Sequence, residues 1–360
     1  MHFLLYLFAQ ATILQRAGVR CAPTGLNQTI STKTVVTTDG YTYAYDYTAA
    51  ANASTPTILL LHGYPASRHD WEYTIPALTA EGYGVIAPDL LGFGDSSKPT
   101  DLESYKLKDI VGHLEEILDA EDLEVVIGVG HDVGANVLSR AAAWAPGRFA
   151  KFVFVTAPYA PAGSFFDVDA INAQSLDTGG YAQFGHWYFF NSWDTAYMIS
   201  RNLDSFFSLV WHANESAWEA DFTNIGAARA WLASNKTTEL PSWVTPEYKA
   251  RWLRLYSQPN ITASTLNYYR ALLRGIHAAD EEILKDENRM LRVPVLAVGS
   301  GKDQVATPDL QKASLDRWAV AGFEQPIIDS GHWIMQEKGD ELNEILIEFI
   351  GREIKFTDSY

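Results

Sequence analysis

The chain is almost free of cysteine, since Cys21 is the only one among its 360 residues. A single cysteine cannot form a disulfide within the chain, and the residues after it offer no thiol for chemistry. With 47% hydrophobic residues, a chain of this length can bury a large core without disulfides. We therefore expect one large α/β domain with an insertion, or two smaller domains.

Basic residues are also scarce. Lys and Arg number 27 against 44 Asp and Glu, which leaves a formal net charge of −17. No basic cluster offsets this balance, so we expect neither nucleic acid nor an anionic membrane surface as a partner. Metal-ligand spacings of His, Cys and Asp are missing too, as is a phosphate-binding glycine pattern. We therefore expect no metal and no cofactor.

The apolar run near the N-terminus is too short to cross a bilayer, which takes about 20 residues. It covers residues 3–14, is interrupted by Gln10 and ends near Arg16. This pattern is typical of a signal peptide, so we predict one over residues 1–22 and no stable membrane span. The alternative is an N-terminal helix that packs on the domain of a cytoplasmic protein.

Sequons for N-glycosylation agree with a secreted protein. Chance predicts roughly two in this chain. Five are present, at Asn27, Asn52, Asn214, Asn235 and Asn260. We therefore expect glycosylation at these asparagines and entry into the secretory pathway.

Two stretches of the chain, residues 33–158 and 292–352, alternate between strand and helix patterns. Strand patterns occur at residues 57–61, 84–87, 125–129, 151–156, 293–298 and around 326–328, and helix patterns at 105–120, 135–144, 308–319 and 340–350. A hairpin around Asp39-Gly40 precedes them. Such alternation predicts an α/β fold with a mostly parallel central sheet and helices on both faces.

Residues 159–291 interrupt this alternation. The segment is rich in aromatic residues, and its periodicity is helical. It follows one core strand and precedes the last strands, so we predict a helical lid over the strand C-termini, where open α/β sheets bind ligands. A separate all-α domain is the alternative.

Asp132 stands where a strand pattern meets a helix pattern. The β-branched run at residues 125–129 leads into Gly130-His131-Asp132-Val133-Gly134, and an alanine-rich stretch follows. Small residues on both sides of such a turn are typical of a nucleophile elbow, although an Asp could also simply cap the helix. A carboxylate that attacks a saturated carbon gives a hydrolysable alkyl ester. An epoxide or a carbon–halogen bond is therefore the expected target.

Partners for Asp132 follow in the chain order nucleophile, acid, His. Asp303 comes after one apolar strand pattern and His332 after the last one. The backbone amides of Tyr64 and Val133 are the expected oxyanion-hole donors.

On these motifs the chain resembles the epoxide hydrolase branch of the α/β-hydrolase superfamily. The matching segments are His62-Gly63-Tyr64-Pro65, residues 87–96, Gly130-His131-Asp132, residues 299–303 and Gly331-His332-Trp333. The resemblance implies an α/β-hydrolase fold and a small apolar epoxide as substrate. Asp132 would open the ring, and His332, held by Asp303, would activate water to release a vicinal diol.

The resemblance also implies two lid tyrosines that protonate the departing oxygen. One corresponds to Tyr269. The second position holds Gly185 here, so the candidates for a second acid or for the pocket wall are its neighbours Tyr188, Tyr181, His186 and Trp187.

Two other functions remain open at this point. His186-Trp187-Tyr188-Phe189 resembles the halide-binding lid segment of fluoroacetate dehalogenases, so a hydrolytic dehalogenase with the same Asp-His-Asp triad is one alternative. Those enzymes carry arginines one and four residues after the nucleophile, where this chain has Val133 and Asn136. The other alternative is a non-catalytic α/β-hydrolase-like protein that only binds its ligand.

Overall fold

The central element of the computed structural model, which describes residues 29–164 and 166–353, is a sheet of nine strands. The strands are β1 Ser31–Val36, β2 Thr42–Thr48, β3 Thr57–Leu61, β4 Gly84–Pro88, β5 Val126–His131, β6 Phe149–Val155, β7 Val295–Ser300, β8 Phe323–Glu324 and β9 Ile327–Ile328. Their order is β1-β2-β4-β3-β5-β6-β7-β8, and β9 pairs with β7. Strand β2 is antiparallel to β1 and β4, whereas the other pairs are parallel.

The middle strands are apolar because both faces of the sheet are covered. Strands β3, β4, β5 and β7 are buried at every position. The helices that belong to this core are α1 Thr74–Ala80, α2 Leu107–Asp119, α3 Val133–Trp144, α14 Pro308–Trp318, α15 Ile334–Glu337 and α16 Gly339–Gly351. Helix α1 packs with α16, and α2 packs with α3. This arrangement confirms the predicted fold class of a mostly parallel sheet between helices.

Ten short α-helices lie between β6 and β7, and we call residues 156–294 the helical insertion. They are α4 Val168–Gly179, α5 His186–Asn191, α6 Thr195–Arg201, α7 Leu203–Val210, α8 Ala227–Ala233, α9 Pro246–Tyr256, α10 Ile261–Thr265, α11 Asn267–Leu273, α12 Ala278–Glu281 and α13 Asp286–Arg289. A π-helical turn, Glu219–Thr223, precedes α8. In the described part of the chain, no helix is both long and apolar enough to span a membrane.

The helical insertion is tied to the core next to the predicted oxyanion loop. The indole of Trp252 donates to the carbonyl of Pro65 at 2.8 Å, and the hydroxyl of Tyr248 donates to Asp70 at 3.1 Å. These contacts place helix α9 directly over the loop that follows β3.

Several elements begin or end at other residues than predicted. Helix α3 starts at Val133, directly after Asp132, rather than at residue 135. The last strand is reduced to Ile327–Ile328, because the chain turns away after two residues of pairing with β7. Helices α1 and α15 and the two-residue β8 were not predicted, since each is too short to show a clear period. The signal peptide predicted over residues 1–22 and the sequon at Asn27 lie outside the described residues.

Candidate active site

Asp132 occupies a tight turn between β5 and α3. Its backbone has φ 49° and ψ −116°, a left-handed conformation that side chains rarely adopt. Neighbouring glycines make room for this turn. A Cβ at Gly63 would lie 2.5 Å from the Cβ of Asp132, and one at Gly134 would lie 2.2 Å from the carbonyl oxygen of Leu61. Any larger residue at Gly63 or Gly134 would therefore collide with its neighbours. The turn places the Asp132 side chain at the carboxyl end of the parallel strands.

The two predicted oxyanion donors both contact Asp132. The amide of Tyr64 donates to Asp132 Oδ1 at 2.8 Å, and the amide of Val133 also hydrogen-bonds the carboxylate. Two backbone donors thus hold the carboxylate, the Tyr64 amide on Oδ1. The side chain is 21% exposed, which leaves the other oxygen, Oδ2, accessible.

Asp303 and His332 form a close buried pair. His332 Nδ1 lies 2.6 Å from Asp303 Oδ2, while Asp303 Oδ1 accepts from the amides of Val305 and Ala306 at 2.8 and 3.0 Å. Burial raises the pKa of Asp303, but the His332 charge and these donors outweigh it and hold that pKa below its ordinary value. Asp303 therefore stays ionised and fixes the imidazole with Nε2 free.

The free nitrogen of His332 faces the nucleophile. His332 Nε2 lies 3.9 Å from Asp132 Oδ2, a distance too long for a direct hydrogen bond. Burial lowers the pKa of His332, yet the carboxylates of Asp303 and Asp132 raise it above its ordinary value overall. Burial raises the pKa of Asp132, against the opposing effect of His332 and the two amides. The three predicted triad residues thus meet at one point, although Asp132 and His332 are 200 residues apart along the chain.

Tyr269 reaches this point from helix α11. Its ring makes edge contacts with Tyr64 and Trp187 at centroid distances of 5.2 and 5.0 Å and a tilted contact with Phe190 at 4.9 Å. Burial, followed by the charge of Asp132, raises the pKa of Tyr269 well above its ordinary value. The phenol is therefore protonated at neutral pH and can donate a proton close to the nucleophile.

The candidates for a second acid separate into two groups. The hydroxyl of Tyr188 donates to Asp169, and that of Tyr181 donates to the carbonyl of Gln304 at 2.9 Å. Among the described residues, neither tyrosine is part of the cavities that contact Asp132. Both hydroxyls therefore point away from Asp132. Tyr188 lies on the outer side of α5, and Tyr181 lies before that helix begins.

His186 and Trp187, in contrast, face Asp132. His186 stacks on Phe222 with a centroid distance of 4.4 Å and is 97% buried, and its Nδ1 has no hydrogen-bond partner within residues 29–164 and 166–353. Burial lowers the pKa of His186 to about 3, so the ring is neutral and carries one N–H donor. Trp187 lines the larger of two cavities that meet at Asp132.

Two cavities meet at Asp132. The smaller one, of about 30 Å³, contains Tyr64 and His332, and the larger one, of about 420 Å³, contains Val133 and Asn136. Four residues line both cavities: Asp132, His186, Tyr269 and Val305. Asp132 therefore lies between a small space next to the imidazole and a large, mostly apolar space.

A family model for the alpha/beta hydrolase fold matches residues 56–339, which is most of the chain. The chain belongs to the α/β-hydrolase fold family. This match confirms the resemblance inferred from the motifs at the level of the α/β-hydrolase superfamily, and the positions of Asp132, Asp303 and His332 after β5, β7 and β9 agree with the order that the superfamily uses.

The relatives of this α/β-hydrolase include proteins named as epoxide hydrolases. Bifunctional epoxide hydrolase 2 of Sus scrofa is 26% identical over 299 residues, which cover 82% of this chain and 52% of the relative. The chain thus spans about half the length of that relative. Epoxide hydrolase A of Mycobacterium tuberculosis is 25% identical over 336 residues, covering 85% of this chain and 94% of the relative.

Solved structures of epoxide hydrolases have the same fold. An epoxide hydrolase from an endophytic Streptomyces superimposes with a TM-score of 0.73 at 25% identity, covering 89% of this chain and 95% of that one. Epoxide hydrolase A from Mycobacterium thermoresistibile superimposes with a TM-score of 0.72 at 24% identity, covering 91% of this chain and all of that one.

Some residues at the site of this α/β-hydrolase had no signal in the sequence. Trp218 and Phe222 line the smaller cavity from the π-helical turn, where no regular period indicates which residues face inward. A second group lies behind the oxyanion loop: Arg68 pairs with Asp89, and His62 bonds the carbonyl of Gly63 at 2.9 Å. Because aromatic residues occur throughout the helical insertion, the sequence does not distinguish those that line a cavity from those that pack in the core.

Proposed function

We propose that this α/β-hydrolase opens epoxides to vicinal diols through a covalent ester of Asp132. The observation that carries the proposal is the arrangement around the carboxylate. Its Oδ1 is held by the Tyr64 amide at 2.8 Å, while its Oδ2 is accessible and lies 3.9 Å from His332 Nε2. Relatives over most of the chain are named epoxide hydrolases, which supports the same reaction class.

Ring opening is the first step of the proposal. Asp132 Oδ2 attacks one epoxide carbon, a C–O ester bond forms, and the ring C–O bond to that carbon breaks. The ring oxygen takes the phenolic proton of Tyr269 as its negative charge develops. The high pKa of Tyr269 suits this role, since the phenol stays protonated until an alkoxide, which is more basic still, forms beside it.

Hydrolysis of the ester is the second step. His332 Nε2 removes a proton from water, and the water oxygen attacks the Asp132 carboxyl carbon. The amides of Tyr64 and Val133 are placed to stabilise the resulting oxyanion, and Asp303 stabilises the imidazolium. Collapse of the intermediate breaks the ester C–O bond, and the leaving alkoxide takes the proton from the His332 imidazolium to complete the diol. The second proton of the water passes from the Asp132 carboxyl group to the Tyr269 phenolate, and the Asp132 carboxylate retains one oxygen from water.

His186 is the second donor in this proposal, in place of the tyrosine that the family pattern has at Gly185. It lines both cavities beside Asp132 and Tyr269, and stacking on Phe222 fixes its ring. As a neutral imidazole it hydrogen-bonds the ring oxygen, while Tyr269 transfers the proton.

A hydrolytic dehalogenase is the second candidate. It is favoured by one observation, that the neighbours His186 and Trp187 both line the larger cavity with the nucleophile. Val133 and Asn136 line the same cavity at the positions where arginines would hold the carboxylate of a haloacid. The arginine pair next to the nucleophile position is therefore missing, and this favours an epoxide over a haloacid, although Arg140 and Arg317 line the same cavity farther along α3 and α14.

Labelled water tests the proposed route. With enzyme in excess over a terminal alkyl epoxide, a single turnover in heavy-oxygen water should place the label in Asp132, and the diol should be unlabelled. Direct appearance of label in the diol would contradict the covalent step. Halide release from haloalkanes or haloacids without diol formation would instead favour the dehalogenase, and tight binding without either product would favour a binding protein.

We also propose that the chain enters the secretory pathway and is glycosylated. Four sequon asparagines, Asn52, Asn214, Asn235 and Asn260, are exposed in loops or at helix ends, which supports the proposal. Expression of the full chain in a eukaryotic host should give a secreted product whose mobility changes after treatment with a peptide N-glycosidase. A product that stays inside the cell and shows no such change would contradict it and favour a cytoplasmic protein.

A further inference from the structure

The smaller cavity is the space where His332 and Asp132 meet. In the part of the chain that the structure describes, His332 lines this cavity but not the larger one. The water that attacks the Asp132 ester must lie beside His332 Nε2, so it has to occupy the smaller cavity. About 15 Å³ admits one water molecule, and 30 Å³ therefore holds about two.

The walls of the smaller cavity are rigid. They include Phe190, Trp218, Phe222 and Trp333, each of which is less than a tenth exposed. The Trp218 indole donates to the carbonyl of Leu209 at 3.0 Å, and Trp218 and Phe222 are in ring contact at 5.2 Å. Expanding the cavity would require several packed aromatic rings to move together.

The larger cavity runs along two helices away from Asp132. On α3 it is lined by Val133, Asn136 and Arg140, which span roughly 10 Å at about 1.5 Å per residue. On α14 it is lined from Leu310 to Trp318, which span roughly 12 Å. Aromatic and aliphatic side chains from the helical insertion close it on the other side. It suits one extended apolar group.

Water can reach His332 by a separate route. A further small crevice, of about 30 Å³, lies on the other side of His332 and shares Trp218 and Trp333 with the smaller cavity. It extends to Lys302, which is exposed, and to Glu337. This crevice gives His332 an opening that shares no lining residue with the larger cavity, so a group bound in the larger cavity does not block it.

From these spaces we infer the substrate class, an inference that rests on the proposed function. The epoxide carries one long apolar substituent, about 10 Å in length, and nothing larger than a methyl group on the other side. The long group fills the larger cavity. A second bulky group would have to enter the smaller cavity, where it would clash with the aromatic walls and displace the attacking water.

Two isomeric substrates test the inference. The terminal epoxide of decane and the trans epoxide at its central bond have the same composition, but the second carries two butyl groups. We expect a kcat/KM for the terminal epoxide about 100-fold higher or more, since each misplaced methylene costs about tenfold or more. Equal hydrolysis of both isomers would overturn the inference and leave the proposed function intact.

Two matched variants locate the restriction. Phe222→Ala enlarges the smaller cavity, whereas Phe149→Ala removes an equally buried ring from the start of β6, a ring that lines neither of the two cavities. We expect Phe222→Ala to reduce the preference for the terminal epoxide by about tenfold or more, and Phe149→Ala to leave it unchanged. The measured quantity is the ratio of kcat/KM for the two substrates, so a loss of activity that affects both equally does not change it.

The remaining outcomes are also decisive. If Phe222→Ala does not fold, Phe222→Leu makes a smaller opening and should shift the ratio in the same direction. A ratio that changes equally in the Phe222 and Phe149 variants would overturn the assignment of the smaller cavity. Absence of diol from both epoxides with the unmodified chain would overturn the proposed function, and the inference with it.

Discussion

The α/β core and the helical insertion contribute to the site in different ways. The core supplies Asp132, Asp303 and His332, each in a loop that follows the end of a strand, so backbone pairing fixes their positions. The insertion supplies Tyr269 and His186 from helices of seven and six residues, which aromatic packing holds in place.

This difference separates two kinds of effect. In the proposed mechanism, core residues make and hydrolyse the ester, so their loss should stop the reaction at a defined step. Residues of the insertion assist the departing oxygen and limit the space in that mechanism, so their loss should slow one step or change the preference between substrates. The predictions below test this division.

The largest effect is expected for Asp132→Ala, which removes the nucleophile. We expect diol formation to fall by about 10⁴-fold or more, because no ester can form. Asp329→Ala, at an exposed carboxylate near His332 in the sequence, is the control and should keep full activity. Substantial residual turnover in Asp132→Ala, measured as initial diol formation, would mean that water attacks the epoxide directly.

Tyr269→Phe should slow ring opening by about 100-fold, because the departing oxygen loses its proton donor. Tyr268→Phe is a matched control at the next residue. That hydroxyl is buried without a hydrogen-bond partner among the described residues and lines neither of the two cavities that meet at Asp132. Rapid-quench measurement of ester formation should show the loss only in Tyr269→Phe; equal losses in both variants would point to packing instead.

The two steps should differ in their dependence on pH. Hydrolysis of the ester needs neutral His332, whose pKa is raised by Asp303, so its rate should fall about tenfold per pH unit below that pKa. Ring opening needs ionised Asp132. Burial raises the pKa of that carboxyl group, but carboxylates ordinarily titrate about two to three units lower than imidazoles, and the pKa of His332 is raised as well. In single-turnover measurements both rates should fall as the pH is lowered, but the rate of ring opening should fall at a lower pH than the rate of ester hydrolysis. If both rates fell over the same pH range, the separate roles of Asp132 and His332 would be contradicted.

His186→Phe should slow ring opening by roughly tenfold, since it keeps the stacking on Phe222 but removes one hydrogen-bond donor. Tyr188→Phe is the control, because its hydroxyl donates to Asp169 outside the site. The same quench measurement applies. If Tyr188→Phe gives the larger loss, the second donor is the tyrosine rather than His186.

The sequence allowed prediction of the core more fully than of the insertion. Buried strands show continuous apolar runs, and each one ends at a turn, so the loops after β5 and β7 were found with Asp132 and Asp303 in them. The fold class followed from the same runs.

The insertion could not be resolved in the same way. Successive residues on a helix point in directions about 100° apart, so four neighbouring candidates cannot be ranked without the helix position. The structure turns His186 and Trp187 inward and Tyr188 outward. The two cavities, and the walls formed by Trp218 and Phe222, depend on contacts between distant segments that no local pattern records.

The most direct test of the central claim is the mass of the His332→Gln enzyme after incubation with an excess of a terminal alkyl epoxide. Without a base, the ester of Asp132 should form once and then accumulate. We expect the intact protein to gain the mass of one epoxide, on the peptide that contains Asp132, with almost no diol. Continued diol formation by an unmodified His332→Gln protein would contradict the covalent route.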